Sequence, residues 1–194
     1  KNIEIFRFDE AARYIYKFVW HSFCDWYLEF LKPIFNSKNK YEVEEAKNFS
    51  SFMLVNILKM LHPFIPFFTE SVWRKNKFNN FFKSNLVASG WPKYQKQKNF
   101  VKKQNDLNNL INLISNIRST KAELNITPKL FCDIIFLPQS KKLKVLINQN
   151  LGLIKQVARV KSLINQKNLD KKAIEILVLK EKLALKFDED VNII

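Results

Sequence analysis

Phe18-Val19-Trp20-His21-Ser22-Phe23-Cys24-Asp25-Trp26-Tyr27-Leu28-Glu29 is the run whose reading decides the fold. It is dense in aromatic side chains, yet His21, Asp25 and Glu29 recur at steps of four, and Lys32 follows Glu29 by three. On an α-helix residues four apart lie one above the other, so these groups form a polar seam on an otherwise apolar rod. A rod of that kind sits at the centre of a helical bundle, where its polar groups need partners. Asp9 reads as the N-cap of this helix, which spans about residues 10–32, and Pro33 reads as its stop. Ala11, Ala12, Ile15, Val19, Phe23, Tyr27 and Phe30 form its apolar face, with Arg13 and Lys17 on another line.

Working outward, a second helix is expected from about Tyr41 to Leu61, with acidic residues in its first turn where the helix dipole favours them. Pro63 breaks the chain, and Pro66 opens a third helix that reaches Lys75. Residues 76–104, rich in Asn and Ser, read as a long connection around Trp91-Pro92. A fourth helix is expected from about Asp106 to Leu124, ended by Asn125 and Pro128. Then the pattern changes. Leu130–Leu137 is β-branched and aromatic and reads as a strand. Residues 140–150 and 153–165 read as helices, and Ala173–Leu179 and Leu183–Phe187 as a strand hairpin with Glu181 in its turn. The fold class is therefore mainly α: a helical bundle with its linker over residues 1–104, then a bundle-completing helix and a small α/β subdomain over residues 105–194.

Composition narrows the function. Only two glycines occur in 194 residues, which excludes the glycine-rich loops that cradle nucleotide phosphates. The formal charge of +15 is spread evenly, +7 over residues 1–100 and +8 over residues 101–194, and points to a polyanionic partner. Abundant Lys, Asn, Ile and Phe also fit the amino-acid usage of an AT-rich genome, so charge alone leaves a helical protein-interaction domain open as an alternative. Two cysteines and two histidines are too few for a separate zinc cluster, and no metal site is expected. The expected location is the cytoplasm, with no membrane partner. A chain that starts at Lys1 is expected to be an excised piece of a longer one.

Cys24 and His21 lie one turn apart and raise the possibility of a thiol nucleophile. No oxyanion donors accompany them, so a buried thiol and a hydrogen-bonded imidazole are the better reading, and no catalytic residue is assigned. Asp25 and Glu29 repel at this spacing, and a structural seam of His21, Asp25, Glu29 and Lys32 outweighs acid–base catalysis. Trp20 sits on the Arg13–Lys17 line, where an aromatic beside two cations makes an edge on which bases can stack.

At this point a resemblance enters. Arg7-Phe8-Asp9-Glu10-Ala11-Ala12, then Phe18-Val19-Trp20 and Phe23-Cys24-Asp25-Trp26-Tyr27-Leu28-Glu29 with Lys32, resembles the anticodon-binding region of the valyl-tRNA synthetases, within the class I aminoacyl-tRNA synthetases. His62-Pro63-Phe64-Ile65-Pro66-Phe67, Thr69-Glu70 and Trp73 resemble an element shared with the leucine and isoleucine enzymes, whose equivalent region is the nearest alternative. Trp91-Pro92, Ile117-Arg118, Ala122-Glu123-Leu124-Asn125-Ile126 and Pro128 continue the likeness in order.

The resemblance implies a helical bundle that docks on the anticodon arm of tRNA(Val), followed by a small α/β module. It implies a monomeric parent whose catalytic domain, in cis, joins valine to tRNA with ATP and Mg. The H-I-G-H and K-M-S-K-S elements of catalysis are absent from these residues, so this piece is expected to bind tRNA, to hold no cofactor and to catalyse nothing by itself. Arg13, Lys17, Trp20, Arg74, Lys75 and Arg118 are the tRNA-binding candidates. Arg118 has a competing reading as an anchor of the fourth helix to an acidic partner such as Asp25 or Glu29.

Overall fold

A computed structural model describes residues 2–93, 100–137, 141–166 and 173–187. The chain divides into two compact units, Lys1–Lys96 and Gln97–Ile194.

The first unit is helical. Phe8–Lys17 (α1), a π-helical segment Phe18–Tyr27 and Leu28–Phe35 (α2) follow one another without a break. The N-cap is Arg7, and Asp9 lies inside the first turn. Pro33 does not stop the rod. It lies two residues before the end of α2, where it removes a single ladder bond, and the helix runs on to Asn36. The central stretch also departs from α-geometry. Along the rod, rings pile up at i,i+4: Tyr16 on Trp20 with 3° between planes, and Phe23 on Tyr27 with 26°. No residue of Phe18–Tyr27 is buried in its unit, so the expected all-round burial of this run is not observed. Ala11, Ile15 and Leu31 supply the buried positions of the rod.

Lys40–Leu61 (α3) begins where Asn39 Oδ1 accepts from the backbone N–H of Tyr41 and Glu42, at 3.1 and 3.4 Å. Pro66–Lys75 (α4) starts at the proline, as its fixed φ favours. At the break between these helices His62 Nδ1 lies 2.8 Å from Thr69 Oγ1. That hydroxyl donates to the Ile65 and Pro66 carbonyls at 3.0 and 3.1 Å. The imidazole therefore reaches the free carbonyls through Thr69, which is fully buried. The segment that reads as loop after Lys75 instead holds a short helix, Phe78–Phe82 (α5), and a 3-10 turn, Leu86–Ala88. Both exist because Trp73 gives them a core: Val55, Leu58, Trp73 and Leu86 pack together, with Phe78 against them.

The second unit places Val101–Glu123 (α6) beside a four-stranded sheet of order β2-β1-β4-β3. The strands are Cys132–Phe136 (β1), Val160–Asn165 (β2), Ile174–Val178 (β3) and Glu181–Phe187 (β4). Lys141–Gln149 (α7) and Leu151–Val157 (α8) connect β1 to its parallel neighbour β2. Leu110, Leu113, Ile114 and Ile117 of α6 are buried with Ile134, Ile135, Leu183 and Leu185 of the sheet.

Two expectations change here. Residues 153–165 are not one helix: α8 ends at Val157, Arg159 turns left-handed at φ 54°, and β2 begins. A short apolar run reads equally as helix or strand, and the parallel partner that decides it lies far away in sequence. Glu181 is the first residue of β4, and its carboxylate accepts from the backbone N–H of Lys142 and Leu143, at 3.4 and 3.0 Å, capping α7. Among the described residues no helix is long and apolar enough to cross a membrane.

The positive-φ positions among the described residues are Phe6, Lys77, Lys83, Asn125, Arg159, Leu179 and Lys180, none of them glycine. Leu179 and Lys180 form the two-residue β3–β4 turn, between the paired Val178 and Glu181. Two positive φ values in such a turn favour Asn-Gly. The double change Leu179→Asn, Lys180→Gly is therefore expected to stabilise the chain by about 1 kcal/mol, read as a raised melting temperature.

Candidate nucleic-acid interface

Arg13, Tyr16, Lys17 and Trp20 occupy successive turns of one helix face, and all four are exposed. The face exists because Ala11 and Ile15 turn the opposite side of α1 toward α3. Tyr16 and Trp20 lie nearly parallel, ring centroids 6.3 Å apart, and Trp20 keeps 53% of its surface open. The His21 ring meets Tyr16 edge-on at 6.4 Å. Arg13 lies 5.7 Å from the Tyr14 ring centre, and Glu10 approaches its guanidinium at 3.8 Å. Two cations beside a parallel pair of open rings can pair with phosphates and stack unpaired bases. Tyr16 was not among the expected residues. Its signal in the sequence is its position, three after Arg13 and four before Trp20.

The polar seam is present but is not buried. His21 Nδ1 lies 3.3 Å from Asp25 Oδ2, with side chains 58% and 49% exposed. Lys32 pairs with Glu29, also at the surface. The line resolves into these two local pairs, each formed within the rod itself. Exposed pairs of this kind contribute little to stability. Cys24 is only partly buried, which corrects the expectation of an enclosed thiol.

Arg74 and Arg118 are tied into the protein. Arg74 Nε donates to Glu70 Oε1 at 3.0 Å, and Nη2 to Asn85 Oδ1 at 3.4 Å. The other Glu70 oxygen accepts from the Leu86 N–H at 3.0 Å, so the pair clasps the 3-10 turn to α4. Lys75 is exposed in the last turn of α4.

Arg118 Nη2 donates to the Val157 carbonyl at 3.0 Å, so its acceptor there is a backbone oxygen within its own unit. One turn on, Lys121 Nζ donates to the Leu130 and Ala158 carbonyls at 2.8 and 3.0 Å. Lys121 is 2% exposed, and burial pulls its pKa below the usual lysine value, while the neighbouring Cys132 thiol acts in the opposite sense. Burial raises the Cys132 pKa, and Lys121 partly offsets it. The Arg159 carbonyl completes the set by accepting from Cys132 N–H at 3.0 Å. Three consecutive carbonyls at the end of α8 are thus each held, two of them by side chains of α6.

The family model described as the anticodon-binding domain of tRNA ligase matches residues 1–136. A valine–tRNA ligase of Pelagibacter ubique is 39% identical over 193 residues, covering 100% of this chain and 22% of that protein. The valine–tRNA ligase of Rhizobium meliloti is 35% identical over 162 residues, covering 83% of this chain and 17% of its own length. That of Zymomonas mobilis is 41% identical over 133 residues, covering 67% of this chain and 15% of its own length. The chain therefore spans less than a quarter of the length of these relatives.

Proposed function

We infer the function of this chain from one premise: it belongs to the anticodon-binding domain family of tRNA ligases. It binds the anticodon arm of tRNA(Val) as the tRNA-binding region of a valine–tRNA ligase. What supports this reading is the exposed face Arg13–Tyr16–Lys17–Trp20, where two cations share a helix face with a parallel ring pair. Arg13 and Lys17 neutralise backbone phosphates, and Tyr16 and Trp20 stack bases that the anticodon loop leaves unpaired. Lys75 adds a peripheral phosphate contact. Arg74, already clasped to Glu70 and Asn85, and Arg118, bonded to Val157, serve architecture first. The His21–Asp25 and Lys32–Glu29 pairs are local surface contacts of the rod and carry no part of the binding.

The parent enzyme uses ATP and Mg in a catalytic segment that lies in cis, acts in the cytoplasm as a monomer, and relies on this region for tRNA recognition. Filter binding of a tRNA(Val) transcript tests the reading. The double change Arg13→Ala, Lys17→Ala is expected to weaken binding at least tenfold and to flatten the dependence of log K on log salt by roughly 1.4–1.8. Binding and salt slope unchanged in that variant would sink the assignment of the face.

A further inference from the structure

The second unit carries another basic groove, which the face on α1 does not explain. Phe131, Lys155, Gln156, Arg159 and Lys161 line an open groove of about 570 Å³ at the junction of α8 with β2. No acidic side chain is among the described residues that line it. Phe131 is 44% exposed, and the Arg159 guanidinium stands 5.8 Å from its ring centre.

Two features separate this arrangement from scattered surface lysines. The first is backbone conformation. Arg159 adopts φ 54° just past the end of α8, a position where glycine is free of strain and arginine is not. The second is support from beneath. The carbonyls of Val157, Ala158 and Arg159 are held in turn by Arg118, Lys121 and the Cys132 N–H, at 3.0 Å each. Lys121, which makes the middle bond, is buried. The strained turn is therefore fixed, and it aims a cation over an open aromatic ring. Of the left-handed positions, Arg159 is the one whose side chain stands over an exposed ring in this groove.

We propose that this groove is a second RNA contact, in which Phe131 and Arg159 stack one unpaired nucleotide while Arg159 and Lys155 neutralise its flanking phosphates. The occupant is a single-stranded or unstacked segment of tRNA, because an exposed ring with a guanidinium beside it takes a base face that a closed duplex does not offer. The proposal rests on the reading of this chain as a tRNA binder, but on different residues in a different unit.

The test uses the whole chain and a tRNA(Val) transcript, with affinity, salt slope and melting temperature measured on each variant. Arg159→Gly is expected to keep or raise the melting temperature, to weaken binding about five- to tenfold, and to reduce the salt slope by roughly 0.7. Phe131→Leu is expected to weaken binding to a similar degree with the salt slope unchanged. Unaltered affinity in both variants would overturn the second contact and leave the α1 face standing. Weakened binding in Arg159→Gly, beside no effect of Arg13→Ala, Lys17→Ala, would support the groove and refute the face. A binding loss in Arg159→Gly that comes with a lowered melting temperature would count against the groove, since glycine relieves the turn. Absence of any tRNA binding by the chain would overturn both.

Discussion

Replacing Trp73 by alanine is expected to cost the first unit about 3–5 kcal/mol, seen as a lower urea midpoint by circular dichroism. The side chain is fully enclosed, against Val55, Leu58 and Leu86. Its ring lies 5.2 Å from those of both Phe78 and Phe82. Its indole N–H also donates to the Ser84 carbonyl at 3.1 Å. Alanine would leave a cavity, an orphaned carbonyl, and α5 and the 3-10 turn without the surface that orders them. Trp73→Phe separates the effects: it retains most of the packing and loses the hydrogen bond, for an expected cost nearer 1–2 kcal/mol. An alanine variant within 1 kcal/mol of the parent chain would show that α5 collapses into the space, contrary to the close packing of this core.

The second large effect is expected at Lys121→Met. Methionine matches the length of the lysine stem but leaves the Leu130 and Ala158 carbonyls without their donor, for a loss of about 2–4 kcal/mol. The pH dependence has a definite sign. Lys121 is held below the usual lysine pKa, chiefly by burial. Between that depressed value and the usual one, the unfolded chain binds more protons than the folded chain, so stability rises with pH across the interval. The Cys132 thiol is raised, chiefly by burial, and acts oppositely: above the usual thiol value the folded chain keeps a proton that the unfolded chain has lost, and stability falls. In a Cys132→Ala background the rise due to Lys121 stands alone, and adding Lys121→Met should abolish it. A rise that persists in the double variant would place its source elsewhere.

Elements governed by local chemistry were readable from sequence. Pro66 and the basic end at Arg74-Lys75 delimit α4 because proline starts a helix and cations suit its end. The β3–β4 hairpin follows from two short apolar runs, the first of them β-branched, separated by a short turn. Elements governed by distant partners were not readable. Phe78–Phe82 sits among asparagines that favour turns, and only Trp73 makes it a helix. Val160–Asn165 becomes a strand only beside β1. Pro33 looked like a terminator, but near the end of a helix it removes just one bond.

At the candidate interface, the Arg13–Lys17–Trp20 line followed from helical spacing. The near-parallel setting of Tyr16 and Trp20, and the exposure of the seam as two surface pairs, depend on packing that spacing alone does not reveal. The support of the α8 turn by Arg118 and Lys121 was hidden because its acceptors are backbone oxygens, which no side-chain motif encodes.

The left-handed backbone positions also link two kinds of economy. Four of the seven named above, Lys77, Lys83, Arg159 and Lys180, are cationic. Where other chains bend through glycine and leave the bend uncharged, this one bends through lysine and arginine, so these exposed corners become studs of positive potential. Charge for a polyanion and the steric cost of the bend are then set by the same residues. Evolution or engineering that relaxes these corners to glycine would gain thermal stability and, in the same step, lose attraction for RNA.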